Sequence, residues 1–109
     1  VPTVLLENLT SNAEFVLEAT YVGVPDEKWG EIPMALVKLA PGFDKKEEDI
    51  LDHLKVEGVD KGKITKWMLP VYVAFVDDVP KTSVGKINKI AIRKTIDTFM
   101  AKAKKVRNI

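Results

Sequence analysis

Apolar positions along this chain switch between helical and strand-like spacing, and each change of period marks an element. Val4, Leu5, Leu6 and Leu9 recur at helical spacing, with Thr3 placed to cap the short helix they predict. Residues 15–24 are rich in Val, Ala, Thr and Tyr and read as a strand. Val24-Pro25-Asp26 should break it, because proline lacks a donor and constrains its neighbour. A polar connection over 26–31 leads to a second strand over 32–39, giving a hairpin that Pro41-Gly42 ends. Asp44 followed by Glu47 resembles a capping box opening a helix through about residue 57, with Ile50, Leu51 and Leu54 as its buried stripe. His53 falls beside that stripe and reads as a boundary residue; with one His and no Cys in the chain, a ligand role lacks partners. Residues 58–66 read as a polar loop, and residues 72–76 as a third strand between Pro70 and Asp77-Asp78. Beyond a short hairpin over 80–88, Ile92, Ile96, Phe99, Ala103 and Val106 recur at spacings of four and three, predicting one amphipathic helix. The expected class is α+β: a small antiparallel or mixed sheet of about three strands plus a short hairpin, flanked by helices.

Length and composition narrow this without naming a function. The 109 residues suit one domain, long enough for a modest core but short for an enzyme enclosing several substrates. A hydrophobic fraction of 46% and a charged fraction of 30% are ordinary for a globular chain. The absence of cysteine excludes disulfides and thiolate metal sites. Apolar runs of a few residues exclude a helical membrane span, and no signal peptide is visible. A start at Val-Pro-Thr reads as a piece of a longer protein.

The near-neutral total hides an asymmetry. Residues 1–80 carry 8 Lys/Arg against 15 Asp/Glu, whereas residues 81–109 carry 9 against Asp97 alone. A basic end on an acidic body suits contact with a nucleotide, a phosphate, a nucleic acid or the chain's own acidic face. Within that end, Pro80-Lys81-Thr82-Ser83-Val84-Gly85-Lys86-Ile87-Asn88 reads as a tight hairpin, Gly85 permitting the turn and Lys86 standing at its mouth. A lysine there is a compact cation for a phosphate or carboxylate that comes and goes; the loop taken alone also fits a plain surface turn.

Three segments together resemble the C-terminal domain of the adenylate-forming superfamily, which includes acyl-CoA synthetases, nonribosomal adenylation domains and firefly luciferase. Val22-Gly23-Val24-Pro25-Asp26, continuing to Gly30-Glu31, resembles the family's Val-Gly-x-Pro-Asp…Gly-Glu turn. Lys66-Trp67-Met68-Leu69-Pro70 resembles its Lys-x-x-x-Pro segment, and residues 75–87 resemble its final signature containing the adenylation lysine. The Lys-Trp-x-Leu-Pro and Lys-Thr-Ser-Val-Gly-Lys forms look most like the medium- and long-chain fatty acyl-CoA ligase branch.

The resemblance implies a single C-terminal lid domain over 1–109, belonging to a larger cytoplasmic AMP-forming acid–thiol ligase and inactive in isolation. Its Lys86 would bridge the carboxylate and the α-phosphate during adenylation, with Thr82, Ser83 and Gly85 shaping the hairpin. Lys81 and Lys89 are expected to be solvated. Trp29 and Trp67 would sandwich the adenine of CoA, or else pack against the sheet. Leu69 and Val71 stand where some relatives carry basic residues for the CoA phosphates. ATP and Mg2+ would be held mainly by an N-terminal domain, the chain's expected partner alongside a carboxylic acid and CoA; no nucleic acid, transmembrane segment or metal ligand is expected here. Two alternatives remain: an adenylation domain serving a carrier protein, and a non-catalytic binding module using the basic C-terminal helix. Against the last, Phe99 is the only aromatic in the basic segment and lies on its apolar stripe.

Overall fold

The chain, described over residues 3–107 by a computed structural model, folds around a four-stranded mixed sheet. In chain order its elements are α1 (Thr3–Ser11), β1 (Val16–Asp26), β2 (Gly30–Leu39), α2 (Glu47–Leu54), β3 (Tyr72–Phe75), α3 (Lys89–Lys94), α4 (Ile96–Lys102) and β4 (Lys104–Lys105). Strands are ordered β1-β2-β3-β4: β1 runs antiparallel to β2, β3 parallel to β2, and β4 antiparallel to β3. The α+β class, a small mixed sheet flanked by helices, is as expected, and the two-residue β4 joins the three strands read from the sequence. The cap expected at Thr3 concerns a side chain outside those described.

The sheet is covered on both sides, which explains the nearly unbroken apolar run of β2. One face presents Ala19, Tyr21, Ala35, Val37 and Val73 to α1 and α2. The other presents Val22, Val24, Ile32, Met34, Leu36 and Ala74 to Val76, Val79, α3 and α4. Polar groups inside this core are paired: the Thr10 and Tyr21 hydroxyls are 2.7 Å apart, and Thr10 also donates to the Leu6 carbonyl. Burial pushes the Tyr21 phenol well above its usual range.

Several boundaries differ from the pattern reading, each for a local reason. Proline at 25 does not end β1; Pro25 pairs with Glu31 and Asp26 with Gly30. An edge strand tolerates proline because its missing N–H can face outward. Asp44 does not cap α2. Lys46 occupies that position, and its N–H donates to the Asp49 carboxylate at 2.8 Å. The helix then widens into a π turn over Lys55–Val59. There Gly58 is buried against Ile64, so the expected polar loop contributes to the core. Val4, expected on an apolar face, is exposed.

The largest correction lies at the C-terminus, where one helix was expected. Thr95 separates α3 from α4, its hydroxyl donating to the Ala91 carbonyl at 2.9 Å. After Ala103 the chain extends as β4, Lys104 and Lys105 pairing with Val73 and Tyr72. Ala103 and Val106 therefore do not continue a helical stripe. The spacing missed this because β4 satisfies an open sheet edge, a tertiary demand invisible in local period.

Candidate functional site

Two sets of candidate residues sit at opposite ends of the sheet. Beyond β3, the chain runs past Asp77 and Asp78 and buries Val79 before forming the loop around Lys86. Lys81 and Ile87 make a single antiparallel bridge pair, and the Asn88 N–H donates to the Pro80 carbonyl at 2.8 Å. At the tip, the Gly85 N–H donates to the Thr82 carbonyl (2.9 Å) and the Thr82 N–H to the Lys86 carbonyl (2.7 Å). This is a three-residue hairpin loop, Ser83-Val84-Gly85, which needs a left-handed residue at its third position. Gly85 supplies it with φ +86°. An L side chain there would cost about 1–2 kcal/mol.

The result is a projecting finger. Ser83, Val84, Gly85 and Lys86 are exposed, Val84 by 78%. Among the described residues the Lys86 ammonium has no hydrogen-bond or ion-pair partner. The Thr82 hydroxyl is buried at the loop without a partner among those residues.

Other lysines at this end are engaged, unlike the expectation of solvation. Lys81 lies 2.9 Å from the Glu18 carboxylate and 3.7 Å from Asp78, while Lys38 lies 3.6 Å from Asp78. The hydrogen bond to Glu18 raises the Lys81 pKa, and Lys38 followed by Lys81 lowers that of Asp78. Lys89 reaches Glu7 at 3.5 Å, the same carboxylate that accepts from the Thr20 hydroxyl and the Tyr21 N–H. Asn88 caps α3 through a 3.0 Å bond from the Ala91 N–H. Lys86 is thus the lysine held outward while its neighbours are tied inward.

At the other end, the β1–β2 turn carries Trp29. The Asp26 carboxylate accepts from the N–H groups of Lys28 (3.0 Å) and Trp29 (2.9 Å), fixing that turn. Nearby, the Glu31 side chain folds over Gly23 into the space that a Cβ would enter. Trp67 lies in a short 3₁₀ turn, Lys66–Met68, that leads into β3. Because β2 and β3 are parallel with Met34 opposite Tyr72, each tryptophan precedes a registered partner by five residues, and both emerge at one end. They are 54% and 67% exposed rather than packed on the sheet, each with the preceding lysine about 5 Å over its ring (5.2 Å for Lys28, 5.1 Å for Lys66).

Arg107 braces this end from the C-terminus, donating to the Leu69 carbonyl at 2.8 Å and, more weakly, to that of Trp67 at 3.5 Å. Sequence spacing gave no sign of Arg107 or Glu18, since both act through contacts distant in the chain. Glu18 to Asp26 spans eight residues of β1, about 26 Å at strand rise, so the finger and the indoles are well apart.

Comparison with known proteins is consistent across sequence and structure. The model of the AMP-binding enzyme C-terminal domain matches residues 5–86, ending at the lysine of the finger. A 2-methylpropanoate–CoA ligase of Humulus lupulus is 37% identical over 93 residues, covering 84% of this chain and 16% of that protein. A peroxisomal trans-cinnamate:CoA ligase of Petunia hybrida is 32% identical over 99 residues, covering 91% and 16%. Among solved structures, a Brucella canis acyl-CoA synthetase aligns with TM-score 0.76 at 31% identity, covering 90% of this chain and 18% of that one. A Mycobacterium tuberculosis fatty acyl CoA synthetase aligns with TM-score 0.75 at 27% identity, covering 88% and 18%. The chain therefore spans about a sixth of the length of the curated relatives it matches.

Proposed function

The chain belongs to the AMP-binding enzyme C-terminal domain family, and we propose that it is the movable lid of an ATP-dependent carboxylic acid–CoA ligase. The observation that carries this reading is Lys86: an ammonium without a partner among the described residues, on a braced, projecting finger whose neighbouring Lys81 and Lys89 are ion-paired. Forming an acyl-adenylate brings a carboxylate against the α-phosphate of ATP, a repulsion that a preorganised cation offsets. Lys86 would bridge the two anions while pyrophosphate leaves, an act of positioning and charge neutralisation rather than covalent catalysis. Thr82, Ser83 and Gly85 would set the lysine's reach.

ATP and its Mg2+ would be held mainly by an N-terminal domain, as would the acid. The signature forms around Trp67 and Lys86 favour a medium- or long-chain fatty acid. The names of the two plant relatives show that this type of domain also accompanies ligases for a branched short acid and an aryl acid. After adenylation the lid would turn its other end to the active site, where Trp29 and Trp67 offer exposed ring faces for the adenine of CoA. A cytoplasmic location is part of this proposal. Among the described residues no helix is long and apolar enough to cross a membrane.

Single-turnover kinetics of each half-reaction in the full-length protein test the reading. Lys86→Ala should slow acyl-adenylate formation and largely spare thioester formation from preformed adenylate. Equal losses in both steps, or none in the first, would return the finger to an ordinary surface turn. Turnover without CoA but with a carrier protein would redirect the second half-reaction.

A further inference from the structure

We infer that Glu18 is a positioning residue for Lys86, acting through the Lys81 ion pair at the root of the finger. This rests on the reading of Lys86 just given. The finger is closed by a few backbone hydrogen bonds of its own, and its tip is exposed. Those bonds fix the loop's shape but not its direction, because all of them lie within residues 80–88. Ile87 and Asn88 anchor the second limb to the core and to α3, so it is the first limb, beyond buried Val79, that needs a tie of its own.

Lys81 provides it. Lys81 stands on the finger's first limb, opposite Ile87, and its ammonium is 2.9 Å from each oxygen of the Glu18 carboxylate on β1. Asp78 joins the same ammonium to Lys38, so the chain of charges reaches β2 as well. The β1–β2 register is interrupted between Val16 and Glu18, and such a bulge re-aims a side chain at the edge of a sheet. Glu18 then pairs with Lys38 in the ladder, beside the bulge, where the backbone is held by β2. A pair this exposed contributes little to folding. Its consequence lies in geometry, since displacing a reacting group by about 1 Å can cost up to about 100-fold in rate.

The test uses the full-length protein and reads both half-reactions separately. Glu18→Gln should slow acyl-adenylate formation about tenfold while leaving thioester formation from preformed adenylate within about twofold. Glu18→Asp, which withdraws the carboxylate by one methylene, should fall between. The reversed pair Glu18→Lys with Lys81→Glu should recover part of the loss suffered by either single reversal. Glu48→Gln serves as the matched control: it breaks an exposed ion pair with Lys104, remote from the finger, and should change neither step.

A loss in Glu18→Gln no greater than in Glu48→Gln, or one shared equally by both half-reactions, overturns the inference while the reading of Lys86 stands. If Lys86→Ala itself spares adenylation, the reading fails first and the inference with it. Should Glu18→Gln fail to fold, Glu18→Asp and the reversed pair carry the same comparison.

Discussion

At one end of the sheet a single lysine is carried on a loop that projects from the core; at the other, two indoles lie in turns that run directly into parallel strands. The finger is aimed by charges contributed from β1, β2 and the segment after β3. The indole end is held by side chains bonded to backbone: the Asp26 carboxylate accepts from N–H groups of its turn, and Arg107 donates to the carbonyls at 67 and 69. The difference suits two kinds of ligand. A cation meeting a transient anionic centre needs reach and direction, whereas a stacking surface needs flat, exposed area on a stiff base. Eight residues of β1, about 26 Å at strand rise, separate Glu18 at the root of the finger from Asp26 at the indole turn, and under the proposed function the lid would turn between its two half-reactions to present them in succession.

The sharpest way to break this comparison is to remove the cation. Lys86→Ala in the full-length protein should slow acyl-adenylate formation by about 10²–10³, the usual loss when one preorganised charge-stabilising donor is deleted. Lys86→Arg should rescue poorly, because a planar fork does not replace a compact ammonium between two anions. Stopped-flow or rapid-quench measurement of the first half-reaction checks both. If Lys86→Ala impairs thioester formation equally, the two ends are not functionally separate.

The converse experiment acts at the other end. Trp29→Ala or Trp67→Ala should raise the apparent KM for CoA by an amount equivalent to about 1–3 kcal/mol, leaving adenylation nearly unchanged, if each ring stacks on a base. Both side chains are more than half exposed, so truncation opens no cavity and folding should survive. A thermal shift large enough to unfold either variant would show that the indoles are structural.

Much of this contrast was legible in the sequence because it is carried by local chemistry. Gly85 at the end of the Lys-Thr-Ser-Val-Gly stretch announced a hairpin, and the Val-Gly-x-Pro-Asp…Gly-Glu segment announced the turn holding Trp29. What escaped was whatever one part of the chain does for a distant part. Lys81 reads as one more solvated lysine until Glu18, 63 residues earlier, is placed beside it. Arg107 reads as part of a basic tail until β4 carries it back to Leu69. The same blindness produced a single C-terminal helix, because Ala103 and Val106 keep apolar spacing while the backbone leaves the helix for the edge of β3.

A smaller effect sharpens the account of the finger's own geometry. Gly85→Ala forces a Cβ into the left-handed region and should destabilise the loop by about 1–2 kcal/mol. No neighbouring atom lies within 4 Å of that Cβ, so the penalty is conformational rather than steric. Asn88→Ala, which removes the cap of α3 where the finger rejoins the core, should cost about 1 kcal/mol of stability. The two differ in what they disturb: Gly85→Ala should reduce the adenylation rate more than thermal stability, and Asn88→Ala the reverse. Identical ratios of rate loss to stability loss would mean that the tip is not shaped independently of its base.

The smallest effect concerns Asp78, whose carboxyl is held below its usual pKa by Lys38 and then Lys81. A depressed folded-state pKa means that the carboxylate's contribution is present above the unfolded value of about 3.9 and is lost as pH falls through the lower folded value. Thermal stability of the wild-type chain should therefore exceed that of Asp78→Asn at pH 6, and the gap should close progressively on acidification below about pH 4. With 68% of its side chain exposed, Asp78 is heavily screened, so the gap should be small and should shrink further in about 1 M salt. The indole end gives a contrasting control, because its indole rings carry no titrating group: the corresponding difference between wild type and Trp67→Ala should persist through the same acid range. A gap for Asp78→Asn that widens as pH falls would show that its ion pairs oppose, rather than support, the anchored finger.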